Sequence, residues 1–250
     1  MNDSHFRYVL RLGDDALILG QRLSQWCGHS PFLEEDIALA NTALDHVGRA
    51  RMLLTRAGEL EGVGRDEDAL AYFRDERDYT NCLIAELPVG DFAFTMVRQF
   101  LCDVFHHELY GALMRSTDEQ LAGIAQKSVK ESAYHVKRSS EWVKRLGDGT
   151  EESHQRAQDA LEEVWAFANE LFEVDDTIAD AIEIGVAADL APIEARWQER
   201  VGETLRTATL ATPEQAWPQT GGRQGLHTEH MGRLLAEMQS VQRAYPGNQW

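Results

Sequence analysis

Prolines occur only at positions 31, 88, 192, 213, 218 and 246, so the stretches 32–87 and 89–191 lack the residue that most effectively breaks a helix. Apolar residues in these stretches recur three and four positions apart, which predicts amphipathic helices long enough to pack side by side. From about Ser4 to Cys27, Tyr8, Leu12, Leu19, Leu23 and Trp26 keep that spacing, and Gly28-His29-Ser30-Pro31 stops the helix. A second helix is expected from about Phe32 to Glu59. It carries two apolar stripes, one through Leu39, Ala43, Ala50 and Leu53, the other through Ile37, Ala40, Leu44 and Val47. A helix apolar around most of its circumference is expected inside a bundle.

After a loop at 58–64 and short pieces over 65–87, Asp91 is placed to cap a third long helix reaching about Ser116. Thr117-Asp118 opens a fourth, which runs to Leu146 and ends at Gly147-Asp148-Gly149. Two helical hairpins in succession predict an all-α, ferritin-like four-helix bundle with additional C-terminal helices. The expected organisation is a single domain over 1–250, with a core at about 4–146 and a helical extension at about 150–250. Within the extension, helices are expected over 151–172 and 177–209, then an irregular linker over 211–225 and a last helix over 226–244. Trp165 and Trp197 serve there as apolar anchors.

A net charge of -18 repels phosphate backbones, and no basic cluster opposes it, so nucleic acid is excluded as a partner. Cys27, Cys82 and Cys102 form no C-x-x-C pair and cannot all pair within one chain, which points to a reducing compartment and to small core residues. No signal-peptide pattern follows Met1 and no run of about eighteen apolar residues occurs, so no membrane association is expected and the expected location is cytoplasmic. Nucleotide loops, dinucleotide fingerprints, the hydrolase elbow and H-E-x-x-H are all missing from the sequence.

A bundle that activates oxygen with two irons needs a Glu from each of two helices and a Glu-x-x-His from each of the other two, all pointing inward. On the second helix the motif's place reads Asp45-His46-Val47-Gly48-Arg49, with His46 for the Glu and Arg49 for the His. An arginine cannot ligate iron. On the first helix Asp15 is a shortened candidate beside Ala16 and Leu17. In the second half Asp103 lies in the stripe Met96, Phe100, Asp103, His107, Tyr110, and Glu131 is followed by Tyr134 where the His is expected, with His135 next.

Asp15, Asp45, His46, Arg49, Asp103, Glu131, Tyr134 and His135 are therefore assigned to a structural polar centre, with no catalytic, cofactor-binding or metal-ligating residue. The competing assignment is an independent di-iron oxygenase or oxidase with a variant ligand set around Asp103, Glu131 and His135. His106-His107-Glu108 is discounted because adjacent helical residues diverge by about 100 degrees. His227-Thr228-Glu229-His230 is assigned to the surface or to an interface with another protein chain.

The segments Leu12-Gly13-Asp14-Asp15-Ala16-Leu17-Ile18-Leu19-Gly20-Gln21-Arg22-Leu23, Glu34-Glu35-Asp36-Ile37-Ala38-Leu39-Ala40-Asn41 and Leu44-Asp45 resemble the C-subunit family of phenylacetyl-CoA epoxidases. So does the tail Gly225-Leu226-His227-Thr228-Glu229-His230-Met231-Gly232, ending near Tyr245-Pro246-Gly247. The resemblance spans nearly the whole chain. It implies a non-catalytic structural subunit of a multicomponent phenylacetyl-CoA 1,2-epoxidase in aerobic phenylacetate catabolism. The implied partners are a catalytic A subunit that carries the di-iron centre, a small B subunit and a reductase with FAD and an iron-sulfur cluster. No cofactor is implied in the C subunit itself.

Overall fold

The computed structural model describes residues 3–214 and 217–248, so 215 and 216 of the linker lie outside the described residues. Those residues form eleven α-helices and no strand, an all-α fold consistent with a ferritin-like helical bundle. They are α1 (Asp3–Ser24), α2 (Leu33–Glu61), α3 (Glu67–Tyr72), α4 (Leu83–Glu86), α5 (Phe92–Leu113), α6 (Glu119–Gly147), α7 (Glu151–Ala168), α8 (Asp176–Glu183), α9 (Leu190–Thr207), α10 (Glu229–Met238) and α11 (Ser240–Ala244). No helix among the described residues is long and apolar enough to cross a membrane. The described residues group into two compact units, one from Met1–Pro88, Asp176–Ala181 and Thr220–Trp250, the other from Val89–Asp175 and Ile182–Gln219.

In the first unit α1 and α2 pack as an antiparallel hairpin. Gly13 and Gly20, two turns apart on α1, make the close approach possible: a Cβ at Gly13 would meet Leu54 Cδ2 at 2.7 Å, and one at Gly20 would meet His46 Cβ at 3.1 Å. Acidic Glu34, Glu35 and Asp36 fill the first turn of α2, where the helix dipole favours them. Gly62 closes that helix in the left-handed conformation, its N–H donating to the Gly58 carbonyl.

Only one stripe of α2 is covered. Leu39, Ala43, Ala50 and Leu53 are buried, whereas Leu33 is 72% exposed, Ile37 54%, Leu44 67% and Val47 41%. The expectation of a helix enclosed all round is therefore corrected, because periodicity registers apolar residues and not what covers them.

Buried charge holds the shorter segments of this unit onto α1. Asp14 pairs with Arg74, which donates from Nη1 at 3.0 Å, and also accepts from the Thr80 N–H at 2.9 Å. Asp15 accepts two bonds from Arg223, at 2.8 and 3.1 Å, and one from the Cys82 N–H at 2.7 Å. Glu86, fully buried, accepts from the Thr228 N–H and hydroxyl on one oxygen and from Asn81 and His227 on the other. Arg22 reaches the Glu86 carbonyl through Nε at 2.9 Å and Nη2 at 2.7 Å.

His227 is thus an interior residue, and its assignment to a surface or interface is corrected. Its nitrogens face two acceptors, Glu86 Oε2 at 2.7 Å and the Tyr79 carbonyl at 3.1 Å, an arrangement that only the imidazolium satisfies on both sides. Burial would lower its pKa, but Glu86 outweighs burial and holds it above the ordinary histidine value.

In the second unit α5 is the helix around which α6, α7 and α9 pack. Asp91 caps it by accepting from the Phe94 N–H at 2.8 Å, as expected from the sequence, and Asp118 caps α6 through the Gln120 and Leu121 amides. α9 is fixed to α5 by the Trp197 indole N–H, which donates to the Leu101 carbonyl at 2.9 Å. The single helix expected over 177–209 is instead broken into α8 and α9. Gly185 turns the chain with φ +76, and its carbonyl accepts from the Thr117 N–H at 3.0 Å. The last helix, expected over 226–244, likewise divides into α10 and α11. Cys82 and Cys102 are buried and Cys27 is exposed, so only two of the three thiols belong to the core.

Replacing Arg223 with Ala leaves Asp15 buried without its counter-charge. Arg223→Ala should therefore cost about 3–5 kcal/mol in urea unfolding. A loss below about 1 kcal/mol, the range of an exposed pair, would mean that water reaches Asp15.

Candidate functional site

In the first unit two of the expected interior residues lie on α2. His46 and Arg49, one helical turn apart, are both fully buried, and Gly20 on α1 leaves room for the His46 Cβ. Asp45 is only partly covered. Asp15 is buried, but its carboxylate is taken up by Arg223 and the Cys82 amide.

In the second unit the expected residues lie on α5 and α6. Asp103, 1% exposed, accepts from Gln99 Nε2 at 2.6 Å, and a carboxylate oxygen lies within 4.8 Å of a His135 ring nitrogen. Burial pushes the Asp103 carboxyl above the ordinary aspartate range, outweighing the opposing effects of His135, Gln99, Ser139 and Arg138.

On α6 the interior face runs through Ser128, Ser132, His135 and Ser139, at intervals of four, three and four residues. Tyr134 is off that face and Glu131 lies at its margin. Glu131 pairs with Lys127 at 3.4 Å, and Tyr134 is 57% exposed. The inward pair is therefore Ser132-x-x-His135, one residue on from the expected Glu131-x-x-Tyr134, and Tyr134 is removed from the polar centre. Helical geometry is the reason for Tyr134: adjacent residues diverge by about 100 degrees, so an inward His135 turns Tyr134 outward, while Glu131, one turn before His135, sits at the margin of the face with its side chain 17% exposed.

The neighbouring polar run on α5 is dispersed. His106 is buried, and His107 lies half-buried with Nδ1 3.4 Å from the Ser132 hydroxyl. Glu108 accepts from Arg196 at 2.6 Å and from Arg200 at 2.7 Å. Burial would raise the Glu108 pKa, but Arg200 and Arg196 outweigh it and hold the carboxyl below the ordinary glutamate value.

These donors do not fit the di-iron centre of ferritin-like oxygenases. Such a centre draws its carboxylates from all four long helices. Among the described residues α2 and α6 bury no carboxylate, and the two buried on α1 are held by Arg74 and Arg223. Asp103 is the remaining buried carboxylate on a long helix. His46 and Arg49 stand where Glu and His are required on α2, and Ser132 stands for Glu on α6.

An all-α chain with long helical hairpins is consistent with the ferritin-like class. The chain matches the family described as "Phenylacetic acid catabolic protein" over residues 1–250, and it belongs to that family. Among its relatives is the C subunit of the 1,2-phenylacetyl-CoA epoxidase of Escherichia coli (strain K12), 49% identical over 243 residues that cover 97% of this chain and 98% of the relative.

Because the folded Asp103 keeps its proton to higher pH than the unfolded chain does, its ionisation lowers stability as pH rises from the unfolded value, about 3.9, through the raised folded value. Asp103→Asn removes that penalty. The variant should melt at or above the parent temperature at neutral pH, with the difference vanishing below the ordinary aspartate range. A lower melting temperature at neutral pH would show instead that the charge stabilises the fold.

Proposed function

We propose that this chain is a non-catalytic structural subunit of a multicomponent phenylacetyl-CoA epoxidase in phenylacetate catabolism. It supports a catalytic A subunit that carries the di-iron centre. Membership of the family and the subunit name borne by the Escherichia coli relative support this assignment. The observation that carries it is a pairing of two properties on α2: no carboxylate is buried on that helix, while Leu33, Ile37, Leu44 and Val47 are exposed along one side.

That exposed stripe repeats at four, seven and three residues, the spacing of a helix face made to meet another helix. Contiguous apolar surface of this kind marks interaction sites. We assign it to docking of the A subunit. The chain holds no cofactor of its own in this assignment: iron belongs to the A subunit, and FAD and an iron-sulfur cluster belong to the reductase. A small B subunit joins them in the assembly, which works in the cytoplasm.

Anaerobic Fe(II) reconstitution followed by gel filtration and metal analysis tests the assignment. Iron should accompany the A subunit and its complex with this chain, and the isolated chain should elute without it. Di-iron stoichiometry on the isolated chain would establish an oxygenase or oxidase in its own right. Leu44→Lys, at an exposed position, should shift stability by less than about 0.5 kcal/mol while abolishing co-elution with the A subunit. Undiminished co-elution would remove α2 from the interface.

A further inference from the structure

In the second unit a cavity of about 360 Å³ opens between α7, the turn that follows it, and α9. Its volume falls in the range of sites that hold small organic molecules. Three rings form an aromatic wall: the Trp197 centroid lies 5.7 Å from that of Trp165 and 5.3 Å from that of Phe172. They are fixed from outside the cavity. Trp197 is oriented by its bond to the Leu101 carbonyl, and Phe172 packs edge-on against Phe105 at 5.4 Å. Thr212 and Pro213 complete the lining, and Gln158 anchors the segment before them by accepting from the Ala211 N–H at 2.9 Å and donating to its carbonyl at 3.1 Å.

The charge of the lining selects the ligand. Glu194 is the one ionisable residue on the cavity among the described residues, and its carboxylate accepts from Gln198 at 3.2 Å. Indole faces and a carboxylate both attract positive charge, and the chain's net charge of -18 adds long-range attraction of the same sign. Among the described residues no lysine or arginine lines the cavity to hold a carboxylate or a phosphate. We infer that this cavity binds a small aromatic cation, with its ring against Trp165 and Trp197 and its positive group toward Glu194. The site uses neither the polar centre nor the α2 stripe, so it stands or falls independently of the epoxidase assignment.

Benzamidine, a planar ring bearing a cation, is the probe. Titrated into the full chain and followed by calorimetry and by the tryptophan indole NMR signals, it should bind saturably with a Kd of about 1 mM or tighter. The signals of Trp165 and Trp197, assigned with Trp165→Phe and Trp197→Phe, should move while those of the other tryptophans stay. Glu194→Gln, on the rim of the cavity, should weaken binding about fivefold. Benzoate and benzyl alcohol, of similar size without the cation, should bind more weakly still. Failure to saturate by about 10 mM, benzoate binding as tight as benzamidine, or an unchanged affinity in Glu194→Gln would each overturn the inference.

Discussion

Two carboxylates on the buried face of α1 dictate much of the first unit. An ionised carboxylate withdrawn from water costs several kcal/mol unless a counter-charge and hydrogen bonds replace its hydration. Asp14 and Asp15 are adjacent, so each needs its own partner, and these come from segments far away in the chain: Arg74 for one and Arg223 for the other. The backbone amides of Thr80 and Cys82 complete the two shells. The irregular stretches that contain these residues cannot be placed by apolar contact as a long helix can; they are placed by where their donors must go. Glu86 repeats the arrangement one layer on, where His227 and Thr228 bring in the start of α10.

The second unit handles carboxylates differently. On α5, Asp103 and Glu108 are less than two turns apart, yet their surroundings move their pKa values in opposite directions. Glu108 meets two guanidiniums from α9 and remains ionised below its ordinary range, while Asp103 has an amide and a nearby imidazole and is pushed up by burial. Glu108 accordingly works as an anchor between helices. The first unit buries a cation on α2 instead, Arg49, fully enclosed.

What could be read from the sequence was local. Caps at Asp91 and Asp118 and the stop near Gly147 follow from residues within a turn of one another, and they stand where expected. The pairs Asp15–Arg223 and Glu86–His227 join residues far apart in the chain and leave no local trace. On α6 the inward face is marked by Ser128, Ser132 and Ser139, small polar residues that give periodicity nothing to register, so the motif template settled one residue early on Glu131. Trp165 and Trp197 could be recognised as apolar anchors, but the space between them depends on where α7 and α9 diverge.

The two sides of α2 are built for different surroundings. Its inner side is fixed by Leu39, Ala43, Ala50 and Leu53, with His46 and Arg49 among them, all buried. Its outer side could be any good helix former if it faced only water, since an exposed position contributes little beyond propensity. Instead it carries Leu33, Ile37, Leu44 and Val47, of which isoleucine and valine are poorer helix formers than the alanine or glutamate that would serve there. Their combined apolar surface also favours association over solubility. The helix therefore accepts a loss in both respects along the side its own chain leaves uncovered, which is the pattern expected when a partner's surface supplies the missing contacts.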